Sequence, residues 1–254
     1  MSEEILILSI DAATPERSVA VTRGARLLAL QRCDVKNSGA SSVLSDVDAA
    51  LKTAGVKIND VELFAATSGP GSFTGLRAGL ATVKAFGDTL RRPVVGVPTL
   101  HAIAYAARPS ETLVAFAPAG RGEVFAQTLS VNDVGEVTEL SKPSHVAPST
   151  LAAEVARAGG HVKWVGVGGG ELFESLKAAA ESFGVAILEG GDVEGLRAGR
   201  GWTFVPPVGK LAEHVAAIAL RKFRAGEVEE ASELRALYVR ASDAELKEKC
   251  PASK

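Results

Sequence analysis

The fold of this chain is decided by the stretch Ser68-Gly69-Pro70-Gly71-Ser72-Phe73-Thr74-Gly75-Leu76-Arg77, which follows a run of strand character, Val61 to Ala66. Gly69 and Gly71 can adopt backbone angles that other residues avoid, and Pro70 fixes its own, so the chain must turn sharply here. After the turn, apolar residues recur at helical spacing, and small residues fill most positions between them. The stretch therefore predicts a strand, a tight loop and a closely packing helix, either a buried crossover or one that meets a partner. The apolar positions of that helix are Leu76, Leu80, Val83, Phe86 and Leu90.

The composition is that of an ordinary globular protein. With 254 residues, 46% hydrophobic and 23% charged, the chain is long enough for one large domain or two modest ones. The formal net charge is -2 and the pI is about 6.1, so the sequence lacks the overall basic field of a stand-alone nucleic-acid binder. Direct binding to RNA would need a local basic patch.

The cysteines and the N-terminal residues bear on the cellular compartment. Cys33 and Cys250 lack the spacing of a disulfide framework or a structural zinc site, which fits a reducing cytoplasm. The stretch Met1 to Glu4 is acidic where a signal peptide is basic, and the apolar run Ile5 to Leu8 has only the length of a strand. We therefore expect a cytoplasmic protein with neither secretion nor a membrane span.

The first half of the chain predicts three strands followed by alternating helices and strands. The short turn Arg23-Gly24-Ala25 makes the second and third strands a hairpin. The predicted order is strands at 5–10, 18–22 and 27–32, a helix at 41–54, the strand at 61–66, the helix after Thr74, a strand at 93–97 and a helix after Pro98.

The second half repeats this order from Thr112 onward. The glycine-rich segment from Gly190 to Pro207 has no periodicity and is predicted to be a long loop. Both halves therefore predict the order β-β-β-α-β-α-β-α. The elements of the second half are strands at 113–117, 123–131 and 136–140, a helix at 148–158, a strand at 162–167, a helix from the glycine turn to about 183, a strand at 185–188 and a helix at 208–224.

This repeated order is typical of the actin, hexokinase and Hsp70 superfamily, whose α/β fold is a duplicated ribonuclease-H-like domain with a cleft between two lobes. We accordingly predict an N-terminal lobe at residues 1–108, a C-terminal lobe at residues 109–230 and a C-terminal tail at residues 231–254. The junction is expected at Arg108-Pro109-Ser110.

The turn after the first strand is one candidate for a vestigial nucleotide site. In ATP-using members of that superfamily, an Asp ends this strand and a nearby Gly lets the backbone close on phosphates. Asp11 and Thr14 are present here, but Ala13 stands where the glycine would be, and its methyl group obstructs that approach. The alternative interpretation is that Asp11 and Thr14 cap the turn through side-chain to backbone hydrogen bonds.

The turn Gly168-Gly169-Gly170 is the second candidate, because it lies between a predicted strand and a helix N-terminus that could face a phosphate. Glu171 suits the helix dipole but would repel an anion, and a glycine run can also simply turn the chain. The loop at Ser68 to Arg77 lacks the Lys-Ser or Lys-Thr pair that ends a Walker loop.

Local motifs for metal binding and nucleophilic catalysis are missing from the sequence. The 4 histidines include no pair at i, i+4, although dispersed ligands stay an alternative. There is no G-x-S-x-G elbow, and neither cysteine has a recognisable electropositive setting. We therefore predict no catalytic residue, no metal site and no cofactor for this chain.

The helix after Thr74 carries the candidate partner surface. Arg77 and Lys84 lie seven residues apart and therefore near one face of the helix. One interpretation is a solvated edge. The other is that these charges rim an apolar helix-helix contact made by Phe73, Leu80 and Ala81.

Four blocks of the first half occur in a characteristic order and spacing, namely Ile7–Thr14, Ser68–Gly79, Gly96–Leu100 and Gly122–Phe125. They resemble the TsaB family of bacterial tRNA threonylcarbamoyladenosine biosynthesis proteins. The most specific part is Gly-Pro-Gly-Ser-Phe-Thr-Gly-Leu-Arg at residues 69–77. In the second half, Tyr238-Val239-Arg240 is similar to the closing Tyr-Leu-Arg of the family.

The resemblance implies an actin-like fold that has lost catalysis and serves as a partner. It implies pairing with a catalytic TsaD-like paralogue, whose two-histidine motif holds a metal, and with a TsaE-like ATPase. ATP and metal would then belong to the partner subunits. These proteins together transfer a threonylcarbamoyl group from its adenylate to the adenosine after the anticodon of tRNAs that read ANN codons. The chain would meet tRNA only through the complex, and alone it would form a homodimer through its first-lobe helices.

Two stretches depart from the family pattern. The first helix of the family commonly begins with His followed by Ser, whereas this chain has Lys36-Asn37-Ser38-Gly39-Ala40. Pro118-Ala119-Gly120 stands where Asp-Ala-Arg is usual, and Arg121 comes one place late.

Two alternative functions follow from the same sequence. One is an ATP-dependent sugar or acyl kinase of the actin superfamily, a hypothesis that Ala13 disfavours. The other is a purely structural protein whose apolar helix only forms a homodimer.

Overall fold

The structure, a computed structural model, describes residues 4–32, 40–188 and 201–239. Its first lobe is built on a five-stranded sheet with the strand order β3-β2-β1-β4-β5. Strand β1 is antiparallel to β2 and parallel to β4. The elements of this lobe are β1 (Leu6–Asp11), β2 (Ser18–Arg23), β3 (Arg26–Arg32), α1 (Ala40–Ala54), β4 (Leu63–Gly69), α2 (Phe73–Leu90), β5 (Val94–Pro98) and α3 (Thr99–Ala106), with a 3-10 turn at Ile58–Asp60.

The second lobe contains a sheet with the strand order β11-β12-β10-β6-β7-β8, and β9 pairs with β7 beside this path. Its elements are β6 (Ser110–Gly120), β7 (Glu123–Val131), β8 (Val137–Glu139), β9 (Ser144–Val146), α4 (Pro148–Ala158), β10 (His161–Gly166), α5 (Gly170–Ser182), β11 (Ala186–Leu188), β12 (Gly201–Phe204) and α6 (Ala212–Arg224).

The two sheets have the same topology. In the second lobe β6 is antiparallel to β7 and parallel to β10, and β10 is parallel to β12. The path β8-β7-β6-β10-β12 therefore repeats the path β3-β2-β1-β4-β5 of the first lobe. This repetition confirms the predicted duplicated ribonuclease-H-like α/β fold.

The segment predicted as one long loop, Gly190 to Pro207, contains strand β12. That part of the prediction was wrong. Strand β12 pairs in parallel with β10 and β11, and its Trp202 side chain is fully buried. Four residues next to a glycine-rich stretch are too few to show a period, so long-range pairing decides the strand. Residues 190–200 lie outside the described residues.

Helices α3 and α6 lie between the two sheets. Helix α3 packs on β6 and β7 of the second lobe, whereas α6 packs on β1 and β2 of the first, and the two helices touch each other. Their buried side chains join one hydrophobic core that includes residues of both sheets, among them Ile7 and Val165. The predicted lobe boundaries stay a prediction, since this core is continuous across them.

In the described parts of the chain, no helix combines the length and the apolar character that crossing a membrane requires.

Candidate partner-binding surface

The loop at Ser68 to Arg77 is the predicted strand-turn-helix junction. Strand β4 ends at Gly69, whose φ of +113° lies in a region that only glycine adopts readily. Helix α2 then begins at Phe73, and the Ser72 side chain caps it by accepting a hydrogen bond from the Gly75 N–H at 3.3 Å.

The N-terminus of α2 is covered by the turn that follows β1. The Ser72 N–H donates to the carbonyl oxygen of Ala13 at 2.8 Å. A Cβ placed on Gly75 would lie 1.9 Å from the carbonyl oxygen of Ala12, so glycine is required for this approach. A phosphate at a helix N-terminus needs free N–H groups, and here protein backbone occupies that space. The loop is therefore a close-packing device and not a phosphate cradle.

Asp11 is held inside its own turn. The buried carboxylate accepts hydrogen bonds from the Thr14 hydroxyl at 2.5 Å, the Thr67 hydroxyl at 3.0 Å and the Ala13 N–H at 3.1 Å. Burial raises the pKa of the Asp11 carboxyl, and these hydrogen bonds offset part of that effect. The contacts match the interpretation in which Asp11 and Thr14 cap the turn.

The glycine turn of the second lobe is more open. Gly168, with a φ of +111°, packs against Pro118, because an added Cβ would lie 2.8 Å from the proline Cγ. Gly169 is the N-cap of α5 without a side-chain cap, and both it and Gly170 have open space around the Cβ position. Pro118, which departs from the family pattern, therefore packs against Gly168 and leaves the Cβ positions of Gly169 and Gly170 open. The other departure, at residues 36–40, falls outside the described residues except for Ala40 at the start of α1.

Helix α2 has one buried face and one exposed face. The apolar stripe packs on the first sheet and includes Leu80, which is only 6% exposed and belongs to the core of this lobe. Leu80 therefore does not lie on the surface at which the predicted helix-helix contact places it. The stripe of Leu76, Leu80 and Val83 faces inward, so the free face holds the small and polar residues between them. The exposed positions are Thr74, Arg77, Ala81, Ala85, Asp88 and Thr89.

Two other predicted contact residues are tied to the C-terminal segment. The Lys84 ammonium donates to the carbonyl oxygen of Leu234 at 3.1 Å. Phe73 contacts both the Arg77 guanidinium, 3.7 Å from its ring centroid, and the Tyr238 ring at 5.3 Å between centroids. Sequence reasoning missed Tyr238 as a neighbour of this surface. The sequence feature that could have indicated it is Tyr238-Val239-Arg240, which is similar to the closing motif of the family. Arg240 lies outside the described residues.

The histidines are dispersed, and each has its own neighbour. Burial lowers the pKa of His101, His161 and His214, so these rings favour the neutral form. Throughout the described ranges, no group of three His, Cys, Asp or Glu side chains is placed to hold a metal ion. His101 is within hydrogen-bond distance of Glu139, and His161 is within hydrogen-bond distance of Thr203. His145 lies near Glu123, but its Nε2 has no hydrogen-bond partner, and the His214 ring packs on Tyr105.

Comparison with known proteins adds to this geometry. The family model for TsaD, tRNA N6-adenosine threonylcarbamoyltransferase, matches residues 39–164. The TsaB protein of Haemophilus influenzae, a tRNA threonylcarbamoyladenosine biosynthesis protein, is 32% identical over 128 residues, which are 48% of this chain and 53% of the relative. An uncharacterized protein of Mycobacterium tuberculosis is 39% identical over 99 residues, or 38% of this chain and 47% of the relative. The chain thus spans about half the length of the curated relatives it matches.

A solved structure shows the same fold. The YeaZ protein from Pseudomonas aeruginosa superimposes with a TM-score of 0.68 and 23% identity, covering 92% of this chain and 100% of that one. Together with the Gly-Pro-Gly-Ser-Phe-Thr-Gly-Leu-Arg block at residues 69–77, these comparisons make the chain similar to TsaB proteins over about half of its length.

Proposed function

We propose that this chain is a non-catalytic subunit that binds and activates a threonylcarbamoyltransferase-like paralogue. The transferase would install threonylcarbamoyl on the adenosine that follows the anticodon of tRNAs reading ANN codons. One observation carries the proposal: the place where a phosphate would meet the first lobe is filled by the backbone of Ala12 and Ala13, while α2 presents an exposed face of small residues.

The proposal that this chain has no catalytic role rests on the hydrogen bonds that the Asp11 carboxylate already accepts. Its described hydrogen bonds come from Ala13 and Thr14 of the turn and from Thr67 of the neighbouring strand β4. A carboxylate that accepts these hydrogen bonds stabilises the turn and is not available to a metal-bound nucleotide. ATP and metal would accordingly be held by partner subunits, a transferase and a TsaE-like ATPase. The chain would approach tRNA only through the complex.

The exposed face of α2 suits a helix of another protein. Ala81 and Ala85 allow close approach of two backbones, while Arg77 and Asp88 supply one charge of each sign toward the two ends. When the transferase is absent, we expect the same face to pair with a second copy of this chain. An antiparallel pair of α2 helices that crosses between Ala81 and Ala85 brings Arg77 of one copy near Asp88 of the other.

Binding to the transferase of the same organism tests the proposal. The purified chain is titrated with that transferase in a calorimeter, and threonylcarbamoylated tRNA is then measured with and without the chain. We expect a stable complex and a rise in modified tRNA. Neither complex nor rise would refute the proposed function.

A matched pair of variants locates the surface. Ala81→Glu places a carboxylate in the centre of the α2 face and should weaken binding by roughly 10-fold or more, because the charge would lose water at the contact. Ala178→Glu makes the same change at an exposed position of α5 in the second lobe and should leave binding unchanged. If the two variants bind with equal affinity, the contact with the transferase does not lie on α2.

A further inference from the structure

The C-terminal segment at residues 229–238, here named the strap, runs along the open edge of β5. Glu229 exchanges two backbone hydrogen bonds with Val94, at 3.0 and 2.9 Å. Its side-chain carboxylate also accepts a hydrogen bond from the Gly96 N–H at 3.2 Å. The strap therefore occupies an edge at which β5 would otherwise leave backbone groups unpaired.

The strap is also anchored by apolar side chains. Ala231 and Leu234 are buried in the core of the first lobe together with Leu80 of α2. A Cβ on Gly96 would lie 2.8 Å from Leu234 Cδ1, so a glycine in β5 makes room for this anchor. Residues 231–238 of the segment predicted as a tail thus pack against elements of the first lobe.

Three further contacts tie the strap to α2 and to the loop before it. Lys84 donates to the Leu234 carbonyl oxygen at 3.1 Å, near the middle of the helix. The Leu237 N–H donates to the Ser68 carbonyl oxygen at 2.7 Å, and the Tyr238 ring packs on Phe73 at the first turn. The position of α2 relative to the sheet therefore depends on the strap at two points along the helix.

The end of the strap is exposed beside the free face of α2. Tyr238 is 48% exposed and Leu237 is 39% exposed. The exposed Arg77 guanidinium, which also packs on Phe73, makes no ion pair with any described residue. Two large apolar side chains and an available cation thus continue the surface that begins at Ala81 and Ala85.

We propose that the partner-binding face is composite: the strap holds α2 in its binding position, and Tyr238 extends the contact beyond the helix. The inference rests on the proposed function, because its partner is the same transferase-like subunit. Residues 39–164 of this chain match the transferase family model, and they include α2, so the transferase would offer a helix of the same kind. Arg77 would then pair with a carboxylate on that helix.

A matched pair of aromatic truncations tests the contact. Tyr238→Ala removes the exposed ring of the strap, and Phe183→Ala removes an equally exposed ring, also 48%, from the second lobe. We expect Tyr238→Ala to raise the dissociation constant for the transferase by roughly 10-fold, as truncation of an aromatic anchor does, and Phe183→Ala to leave it unchanged. Tyr238→Phe keeps the ring and should bind within a few-fold of the natural chain.

A second measurement tests the positioning role. Lys84→Met keeps the aliphatic stem but removes the hydrogen bond to Leu234. Amide hydrogen exchange should become faster in α2, residues 73–90, and stay unchanged in α4, residues 148–158. Unchanged exchange in α2 would show that the strap does not position the helix.

The outcomes separate this inference from the proposed function. A natural chain that does not bind the transferase at all would refute the proposed function. A natural chain that binds, with Tyr238→Ala and Phe183→Ala equal in affinity, would refute the composite face alone. If Tyr238→Ala weakens self-association but not transferase binding, the ring belongs to a contact between two copies, and the transferase would be the wrong occupant.

Discussion

The carbonyl oxygen of Ala12 lies so close to Gly75 that a Cβ on Gly75 would be 1.9 Å from it. The turn after β1 and the start of α2 are therefore packed backbone against backbone. This contact explains why the loop at Ser68 to Arg77 needs glycine at a helical position, where alanine would have the better helix propensity.

Gly75→Ala should destabilise the protein despite that propensity. The methyl group has no space next to a backbone oxygen, so the turn or the helix must move, at a cost of roughly 1–3 kcal/mol. Urea unfolding measures the change. Gly170→Ala, at the start of α5, is the matched control because nothing lies within 4 Å of its Cβ position. A Gly75→Ala protein as stable as the control would contradict the described packing.

Removing the Asp11 carboxylate should also destabilise the first lobe. Asp11→Ala leaves the Ala13 N–H and the hydroxyls of Thr14 and Thr67 without their shared acceptor in a buried site. Leaving buried donors unpaired costs about 1–3 kcal/mol, so a fall of that size in the free energy of unfolding is expected. If Asp11 instead served only a ligand, the free energy of unfolding would stay the same or rise.

His214 should make stability depend on pH. Burial, with the nearby Arg108 charge, lowers the pKa of His214 from its usual 6.5 to about 4 in the folded protein. The unfolded chain therefore takes up a proton first as the pH falls, so stability is full above pH 6.5 and is lost between pH 6.5 and 4. At about pH 5 the loss should reach at most about 2 kcal/mol.

Unfolding of the natural chain and of His214→Gln at neutral pH and at about pH 5 checks this expectation. The variant should lose less stability than the natural chain on acidification. Equal losses would assign the pH dependence to groups other than His214.

A charge exchange tests pairing of two copies through α2. Arg77→Glu and Asp88→Arg should each weaken self-association, because each puts like charges together across the two-fold axis. The double variant restores opposite charges and should recover most of the lost association. Sedimentation velocity gives the three values. If the double variant does not recover self-association, this antiparallel arrangement is ruled out.

ATP should not bind the chain at micromolar concentration. The backbone of Ala12 and Ala13 is pressed against α2, so Ala13→Gly alone should not create a phosphate site. Calorimetry on both proteins measures this directly. A micromolar dissociation constant for the natural chain would favour the kinase hypothesis instead.

The sequence predicted the elements whose signal is local. The hairpin of β2 and β3, the helix after Thr74 and the helix from Pro148 to Ala158 all have strong periodicity or turn residues and were placed within a few residues. The duplicated order of these elements was enough to indicate the fold. Strand β12 was missed, because its four residues become a strand only by pairing with β10 and β11.

The partner surface itself stays a prediction, and the structure adds which of its residues are exposed. Spacing placed Arg77 and Ala81 on one helix, but it could not tell which stripe faces the sheet, and Leu80 was assigned to the wrong side. The strap had no local signal at all. Leu234 and Tyr238 acquire their roles from contacts with Lys84 and Phe73, more than a hundred residues earlier in the chain, and no spacing within residues 229–238 encodes them.

The exchange of α3 and α6 between the two sheets has a consequence for folding. The last helix of each half packs on the sheet of the other half: α3 covers β6 and β7, and α6 covers β1 and β2. A fragment that ends after α3 would expose the apolar face on which α6 packs, and a fragment that starts at β6 would lack the cover that α3 provides. The two halves repeat each other in topology, yet we expect that neither folds alone and that separating them yields two aggregating chains.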